Sequence, residues 1–180
     1  GKLLAKSPLK IRVILVAYTL AEPTSFHTIN LGSLQHATWL RESGKKVKAM
    51  LSLEMIGYFS DEPGSQKFPN PFLQWWYPDT GNFIAIISNL ENLGLVRKVK
   101  RSMLLAEDLP VFSFESPGME LSDHGSYRKN GFPALMITDT ANFRNPHYHG
   151  ANDSPEKLDY KRMSKVVSGT YRAVLDLMND

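Results

Sequence analysis

The segment KVKAMLSLEM, residues 46–55, decides the fold class. After its second lysine the segment is almost wholly apolar, with Glu54 near its end. A short apolar run without alternation is typical of a strand that is buried on both faces. Strands of this kind belong to sheets that helices cover on both sides. The segment therefore predicts a buried strand that ends at Ile56-Gly57, within an α/β fold.

Outward from this strand, apolar runs alternate with stretches of helical periodicity. Apolar residues at helical spacing mark 31–42, ended by Ser43-Gly44, and the amphipathic stretch 159–178, for which Asp159 is a suitable N-cap. The alternation predicts a three-layer α/β/α architecture, in which helices cover both faces of a mostly parallel central sheet. The other predicted strands are 11–19 (IRVILVAYT), 111–115 and 132–138 (FPALMIT), and the other predicted helices are 82–93 and 95–106.

A long irregular stretch, 58–81, follows the predicted strand at 46–55. It contains four prolines and the pair Trp75-Trp76. Loops of this length inside a compact domain usually carry function, for example as lids. The two tryptophans either pack against the body of the protein or form a contact surface. Further loops are predicted at 116–130 and 139–155.

Composition excludes several classes of function. The 180 residues suit one domain, and the whole chain, 1–180, is predicted to be a single domain. Because the chain has no cysteine, it has no disulfide framework, no zinc finger and no thiol nucleophile. A net charge of +3 is too small to indicate nucleic acid. No segment approaches the ~20 apolar residues of a membrane span. We therefore expect neither nucleic acid nor a membrane as a partner.

Carboxylates and histidines follow the predicted strands. Glu22 comes three residues after the first strand and Glu54 ends the second, while Asp123-His124 and the polar cluster 139–153 flank the FPALMIT strand. The carboxyl ends of parallel strands meet at one edge of a sheet, so these groups could converge on zinc or a similar divalent ion. The alternatives are a strand-end Glu54 that faces water and a His147–His149 loop that lies on the surface.

Four motifs together span nearly the whole chain. They are LAEP (20–23) with Gly32-Ser33 and His36-Ala37; LEMIGY (53–58); SDHGSY (122–127) with KNGFPA (129–134); and Tyr148-His149 with DSPEKLDY (153–160). In the same order they resemble the segments LEEP…GS…HA, NLDMIGY, SDHxxF…GxPA and YHxxxDTPEKLDY of the M28 family of zinc aminopeptidases.

The resemblance implies a set of metal ligands. Glu22 corresponds to a ligand of one metal and His149 to the final ligand of the family's site. Glu54 stands where the family usually has Asp, a ligand of the other metal. The family binds two zinc ions. Its reaction is hydrolysis of an N-terminal peptide bond, so the implied partner is a peptide substrate, and the implied location is secreted or periplasmic.

The resemblance also implies roles for groups beside the metals. Tyr148 matches the tyrosine that stabilises the oxyanion. Asp123 and His124 match a motif that supports the ligands. Ala21 occupies the position of the glutamate that acts as general base, and alanine cannot take a proton. We therefore expect this chain to be inactive or impaired as an aminopeptidase.

A second departure concerns the amino-terminal side. The family supplies a further histidine ligand and a metal-bridging aspartate from before the strand at 11–19, and this chain has neither residue type upstream of Ile11. The chain thus resembles the carboxyl-terminal part of the catalytic domain only. We expect weak zinc binding or none by this chain alone.

Other interpretations stay open at this point. One is a non-catalytic, peptidase-like binding module, and another is a glutaminyl-cyclase-like relative, which needs a single zinc ion. An upstream segment with His and Asp would favour a truncated enzyme over a binding module. Because missing strands would expose a sheet edge, a homodimer is a further hypothesis.

Overall fold

The structure is a computed structural model that describes residues 2, 4–6, 11–20, 28, 30–115 and 122–179. Within these ranges the chain forms a four-stranded sheet and four α-helices, joined by loops that contain short 3₁₀ turns. In chain order the elements are α1 (Gly32–Glu42), β1 (Met50–Leu53), β2 (Ile84–Ser88), α2 (Leu93–Ala106), β3 (Val111–Glu115), α3 (Asp123–Lys129), β4 (Ala134–Thr138) and α4 (Tyr160–Met178).

The sheet has the strand order β1-β4-β2-β3. Strand β1 pairs with β4 in parallel, with Met50 opposite Ala134, and β2 pairs with β3 in parallel. Strands β2 and β4 are antiparallel, with Ile86 opposite Ile137. The prediction of a mostly parallel sheet is confirmed. The carboxyl ends of the strands, however, divide between two edges, because β1 and β4 run one way and β2 and β3 the other.

Helices cover both faces of the sheet, which confirms the predicted three layers. Alternate side chains of a strand point to opposite faces, so Leu135 and Ile137 of β4 face one core and Ala134 the other. The larger core lies between the sheet and helices α2 and α4, and it includes Val99 and Val166. The smaller core lies against α1 and α3, and its buried members are Ala37, Leu40, Tyr127 and Ala134.

Helix α4 follows the prediction closely. Asp159 caps it, because its side chain accepts a hydrogen bond from Arg162 N at 2.9 Å. Gly169 lets the helix approach α2, since a Cβ there would lie 3.2 Å from Met103 Cγ. The predicted helices 31–42 and 95–106 are also present, as α1 and α2.

The predicted helix at 82–93 is wrong. Residues Ile84–Ser88 form the central strand β2, all of it buried, followed by a 3₁₀ turn at Leu90–Asn92. A strand covered on both faces is apolar at every position, and such a run also contains the spacing of a helical face.

The predicted loop at 116–130 is wrong in part, because Asp123–Lys129 form α3. The buried residues of α3 are His124, Gly125, Ser126 and Tyr127, consecutive positions that give no apolar helical periodicity.

The predicted buried strand at 11–19 is also wrong. Residues 11–20 lie outside the four-stranded sheet, and Leu15 is 66% exposed. Where no neighbouring strand forms a ladder, the backbone stays irregular and the apolar side chains remain open to water. The segment contacts the body near its end, where Gly32 N donates to Thr19 O at 3.1 Å.

The loop 58–81 is irregular, as predicted, apart from a 3₁₀ helix at Pro71–Trp75. Trp75 and Trp76 are 70% and 72% exposed, so they do not pack against the body of the protein. Among the described residues, no helix has the length and apolarity that crossing a membrane requires.

Candidate functional site

Glu54 lies at the edge of the sheet where β1 and β4 end. Its backbone nitrogen donates to Ile137 O at 3.0 Å, which fixes the residue beside the end of β4. Its carboxylate accepts a hydrogen bond from Ser122 Oγ at 2.8 Å, and Ser122 Oγ lies 3.2 Å from Ser52 Oγ. The structure thus brings Glu54 to the start of α3.

Asp123 and His124 form the first turn of α3, directly after the serine that contacts Glu54. His124 is fully buried. Burial raises the pKa of Asp123, and a hydrogen bond with the Ser33 side chain opposes that shift. These two residues therefore lie at the start of α3, next to the serine that contacts Glu54, and their supporting role stays a prediction.

Tyr148 and His149 lie in the loop after β4. Their rings stack with centroids 4.0 Å apart. The loop is held by Asn145, whose side-chain oxygen accepts from His147 N at 2.9 Å and whose side-chain nitrogen donates to Asp153 at 3.1 Å. The loop starts from β4, the strand that neighbours β1 in the sheet, so it leaves the same edge at which Glu54 lies.

The predicted residues Ala21 and Glu22 lie outside the described residues. Within the described ranges, no group of three or more His, Cys, Asp and Glu side chains could hold a metal ion. Glu54 and His149 therefore do not complete a zinc site with any third side chain of that kind in the described part of the chain. The described residues by themselves do not fit zinc.

Two buried charged residues join the loops at this edge. Asp139 follows β4 directly and is 1% exposed. Its carboxylate accepts hydrogen bonds from the backbone nitrogens of Gly57, Tyr58 and Ala141, at 3.1, 2.7 and 3.0 Å. Burial raises the pKa of Asp139 to about 6, and the amide donors oppose the shift.

Arg144 is the second of these residues, and it is 4% exposed. Its Nε donates to Gln66 Oε1 at 2.9 Å, and its Nη1 donates to Phe83 O at 2.8 Å. Burial lowers the pKa of Arg144 to about 10, although the Asp139 carboxylate nearby opposes the shift. The sequence places Asp139 within the polar cluster 139–153 but does not single out Arg144, because one arginine in a loop has no distinguishing pattern.

A cluster of three rings lies between the segment 11–20 and helices α1 and α3. The Tyr18 and Tyr127 hydroxyls are 2.5 Å apart, and they lie 2.8 and 2.9 Å from His36 Nδ1. Burial and the neighbouring tyrosine raise the pKa of Tyr18. The cluster joins the end of the 11–20 segment to the helical layer that carries Asp123.

Comparison with known proteins gives sequence relatives along most of the chain. The sequence profile of Peptidase family M28 matches residues 2–174. A protein of Escherichia coli (strain K12) named "Uncharacterized protein YfbL" is 42% identical over 173 residues, which cover 94% of this chain and 53% of that protein. A probable leucine aminopeptidase of Arthroderma benhamiae is 31% identical over 143 residues, which cover 77% of this chain and 34% of that protein.

Solved structures share the fold at low sequence identity. The LapA aminopeptidase of Legionella pneumophila superimposes with a TM-score of 0.64 at 18% identity, over 83% of this chain and 36% of that one. BSAP, a zinc aminopeptidase from Bacillus subtilis, gives a TM-score of 0.56 at 15% identity, over 81% of this chain and 32% of that one. The chain thus spans about half of the first relative and about a third of the aminopeptidases.

Proposed function

The chain belongs to peptidase family M28, and from that premise we propose that it is a zinc-dependent aminopeptidase in which hydrolysis of N-terminal peptide bonds is impaired. The observation that carries the proposal is the family match over residues 2–174. The names of relatives such as the probable leucine aminopeptidase of Arthroderma benhamiae support the substrate class. Peptides with a free amino terminus are therefore the proposed substrates, and a secreted or periplasmic location remains a prediction.

The proposed site combines residues from three parts of the chain. Glu54 and His149 are proposed ligands on loops that leave one edge of the sheet, and Glu22 is the third. Tyr148 is proposed to donate a hydrogen bond to the oxyanion that develops during hydrolysis. Asp123 and His124 are proposed to support Glu54 through the start of α3, for which the 2.8 Å contact between Ser122 and Glu54 is the supporting observation.

Ala21 is the proposed cause of the impairment. A methyl group cannot accept a proton, and the loss of a general base typically costs ~10²–10⁴-fold in rate. The remaining groups would still bind and orient a peptide. We therefore expect the unmodified protein to bind peptides with a free amino terminus and to hydrolyse them slowly or not at all.

The test is the substitution Ala21→Glu in the full-length protein. The rate of hydrolysis is measured with zinc in the buffer and a leucyl coumarin amide as substrate. The expected result is a rise in kcat of about 100-fold or more. Ala5→Glu, at an exposed position, is the matched control and should leave the rate unchanged. If Ala21→Glu binds zinc stoichiometrically yet gains no activity, position 21 does not have the proposed role. If neither the parent protein nor Ala21→Glu binds zinc or hydrolyses the amide, the proposed function is wrong.

A non-catalytic binding module is the second candidate. The exposed aromatic tip of the long loop favours it, because Trp75 and Trp76 are more than two-thirds exposed and large exposed apolar groups mark contact surfaces. This candidate predicts saturable peptide binding that Trp75→Ala weakens, with no turnover after Ala21→Glu. Turnover in that reversion would exclude it.

A further inference from the structure

We infer that Asp139 and Arg144 are positioning residues that hold the Glu54 turn and the Tyr148-His149 loop in one arrangement. The inference rests on the proposed function, in that it treats Glu54, Tyr148 and His149 as parts of one site. Neither Asp139 nor Arg144 belongs to the proposed ligands or to the groups proposed to act on substrate. Both act through backbone atoms and side chains of other segments.

Asp139 holds the turn that follows Glu54. Its Oδ2 accepts from the two successive backbone nitrogens of Gly57 and Tyr58, and its own backbone nitrogen donates to Met55 O at 2.6 Å. Its Oδ1 accepts from Ala141 N, which shapes the first residues of the loop after β4. One buried carboxylate therefore holds the two segments that follow β1 and β4 at the same edge of the sheet.

Arg144 holds the loop after β4 against two other segments. Its guanidinium donates to Gln66 in the long loop and to the backbone oxygens of Phe83 and Tyr58. It also lies over the Phe83 ring, with 4.6 Å from Cζ to the ring centroid. The fit is close, because a Cβ at Gly81 would lie 2.7 Å from Arg144 Cδ. Four residues further on, the same loop reaches Tyr148.

The backbone around this pair is strained, which indicates that the arrangement is held against local preference. Met55, Thr140, Ala141 and His149 have φ values of +52°, +80°, +51° and +54°. Left-handed conformations are costly for residues other than glycine and persist only when the surroundings impose them. All four lie in the segments that Asp139 and Arg144 join, and they include the residue after Glu54 and the proposed ligand His149.

The pair is also expensive to bury. Arg144 Nη2 is buried and makes no hydrogen bond to any described residue, and a buried, unsatisfied polar group opposes folding. An apolar residue of similar volume would fill the site at lower cost. A contribution to overall stability alone does not explain an arginine at this position. A need for several directed hydrogen bonds in one plane does explain it, because the guanidinium group provides them.

The first test measures amide hydrogen exchange in the chain and in the variants Asp139→Asn and Arg144→Gln, with Arg97→Gln at an exposed position of α2 as the matched control. Exchange should rise about tenfold or more in 54–58 and 139–153, and it should change less than twofold in α2 and α4. The control should match the parent protein throughout. Equal increases in all segments, or no increase in the two loops, would overturn the inference. If Arg144→Gln fails to fold, Arg144→Lys keeps the positive charge, loses the planar set of directed hydrogen bonds to Gln66 and Phe83, and should raise exchange in 139–153.

The second test uses the Ala21→Glu protein, in which the proposed function provides turnover. Adding Arg144→Gln should lower kcat about tenfold or more and change KM less than threefold, because the reacting groups lose their alignment. Unchanged kcat would contradict the positioning role. If Ala21→Glu shows no turnover, the proposed function has failed, and the exchange measurement still decides whether the pair holds the two loops.

Discussion

Asp139 is a carboxylate surrounded by backbone donors and removed from water. Because burial raises its pKa to about 6 in the folded protein, against 3.8 as the ordinary value, the folded state binds its proton more tightly than the unfolded state. A raised carboxyl pKa contributes more stability as pH falls. Its contribution should therefore increase from pH 7 through pH 6 toward pH 4, and diminish again as pH rises through 6.

The rise in stability toward lower pH gives a prediction for Asp139→Asn, because asparagine cannot titrate. Between pH 7 and pH 5 the free energy of unfolding of the parent protein should rise relative to that of the variant by about 1 kcal/mol. Urea denaturation of both proteins at the two pH values measures the difference, in which the other titrating groups cancel. An unchanged difference, or one of opposite sign, would show that Asp139 stays ionised throughout this range.

Side chains also show how far a sequence can locate a site. Glu54 and Asp123 could be selected because they follow strands or belong to motifs, and Ser122 does place the start of α3 against Glu54. Arg144 could not be selected, because its partners Gln66 and Phe83 are 78 and 61 positions away in the chain. Only the folded backbone brings these groups together.

Helix α4 is the element whose start depends most clearly on one residue. Asp159 accepts from Arg162 N at 2.9 Å, and its Oδ2 lies 3.5 Å from Arg162 Nη1. Asp159→Ala removes the cap and should lower the free energy of unfolding by about 1 kcal/mol. Thermal or urea unfolding measures the change. Asp176→Ala, near the other end of α4, is unsuitable as a control because Asp176 bonds to Ser102 and Arg172.

A better control is Ser164→Ala, at an exposed position in the second turn of the same helix. Its hydroxyl bonds only to the Lys161 carbonyl one turn back among the described residues, and alanine has a higher helix propensity than serine. The control should therefore leave the protein as stable as before or slightly more stable. A loss in Asp159→Ala no larger than that of the control would contradict the capping role.

Elements were predicted correctly where a pattern has one physical interpretation. Helix α4 has an amphipathic period and a cap, and α1 is followed by Gly44 at φ +63°. Strand β2 was mistaken for a helix because a strand buried on both faces has no period of its own. The strand predicted at 11–19 is wrong for a different reason. Apolar composition indicates a strand only where neighbouring strands are present to hydrogen-bond with it.

At the scale of the whole molecule, the sheet determines which candidate groups can act together. Strands β1 and β4 end at one edge, and the segments after them carry Glu54, Asp139, Tyr148 and His149. Strands β2 and β3 end at the opposite edge. Strand β3 thus ends away from the site, whereas Ser122, at the start of α3, lies against Glu54. The homodimer stays a hypothesis, which light scattering at high concentration tests.

Zinc binding is the property that depends on all these parts at once. Catalytic zinc is held by three protein ligands as a rule, and the described residues contain no group of three suitable side chains. We therefore expect this 180-residue chain to retain fewer than two equivalents of zinc after dialysis against zinc-free buffer, as measured by plasma mass spectrometry. Glu54→Gln and His149→Gln should each lower whatever zinc is retained, whereas His147→Gln should not, because His147 is not among the proposed ligands. Two tightly bound equivalents in the unmodified chain would contradict the expectation. They would mean that Glu22 and other residues outside the described ranges complete the site.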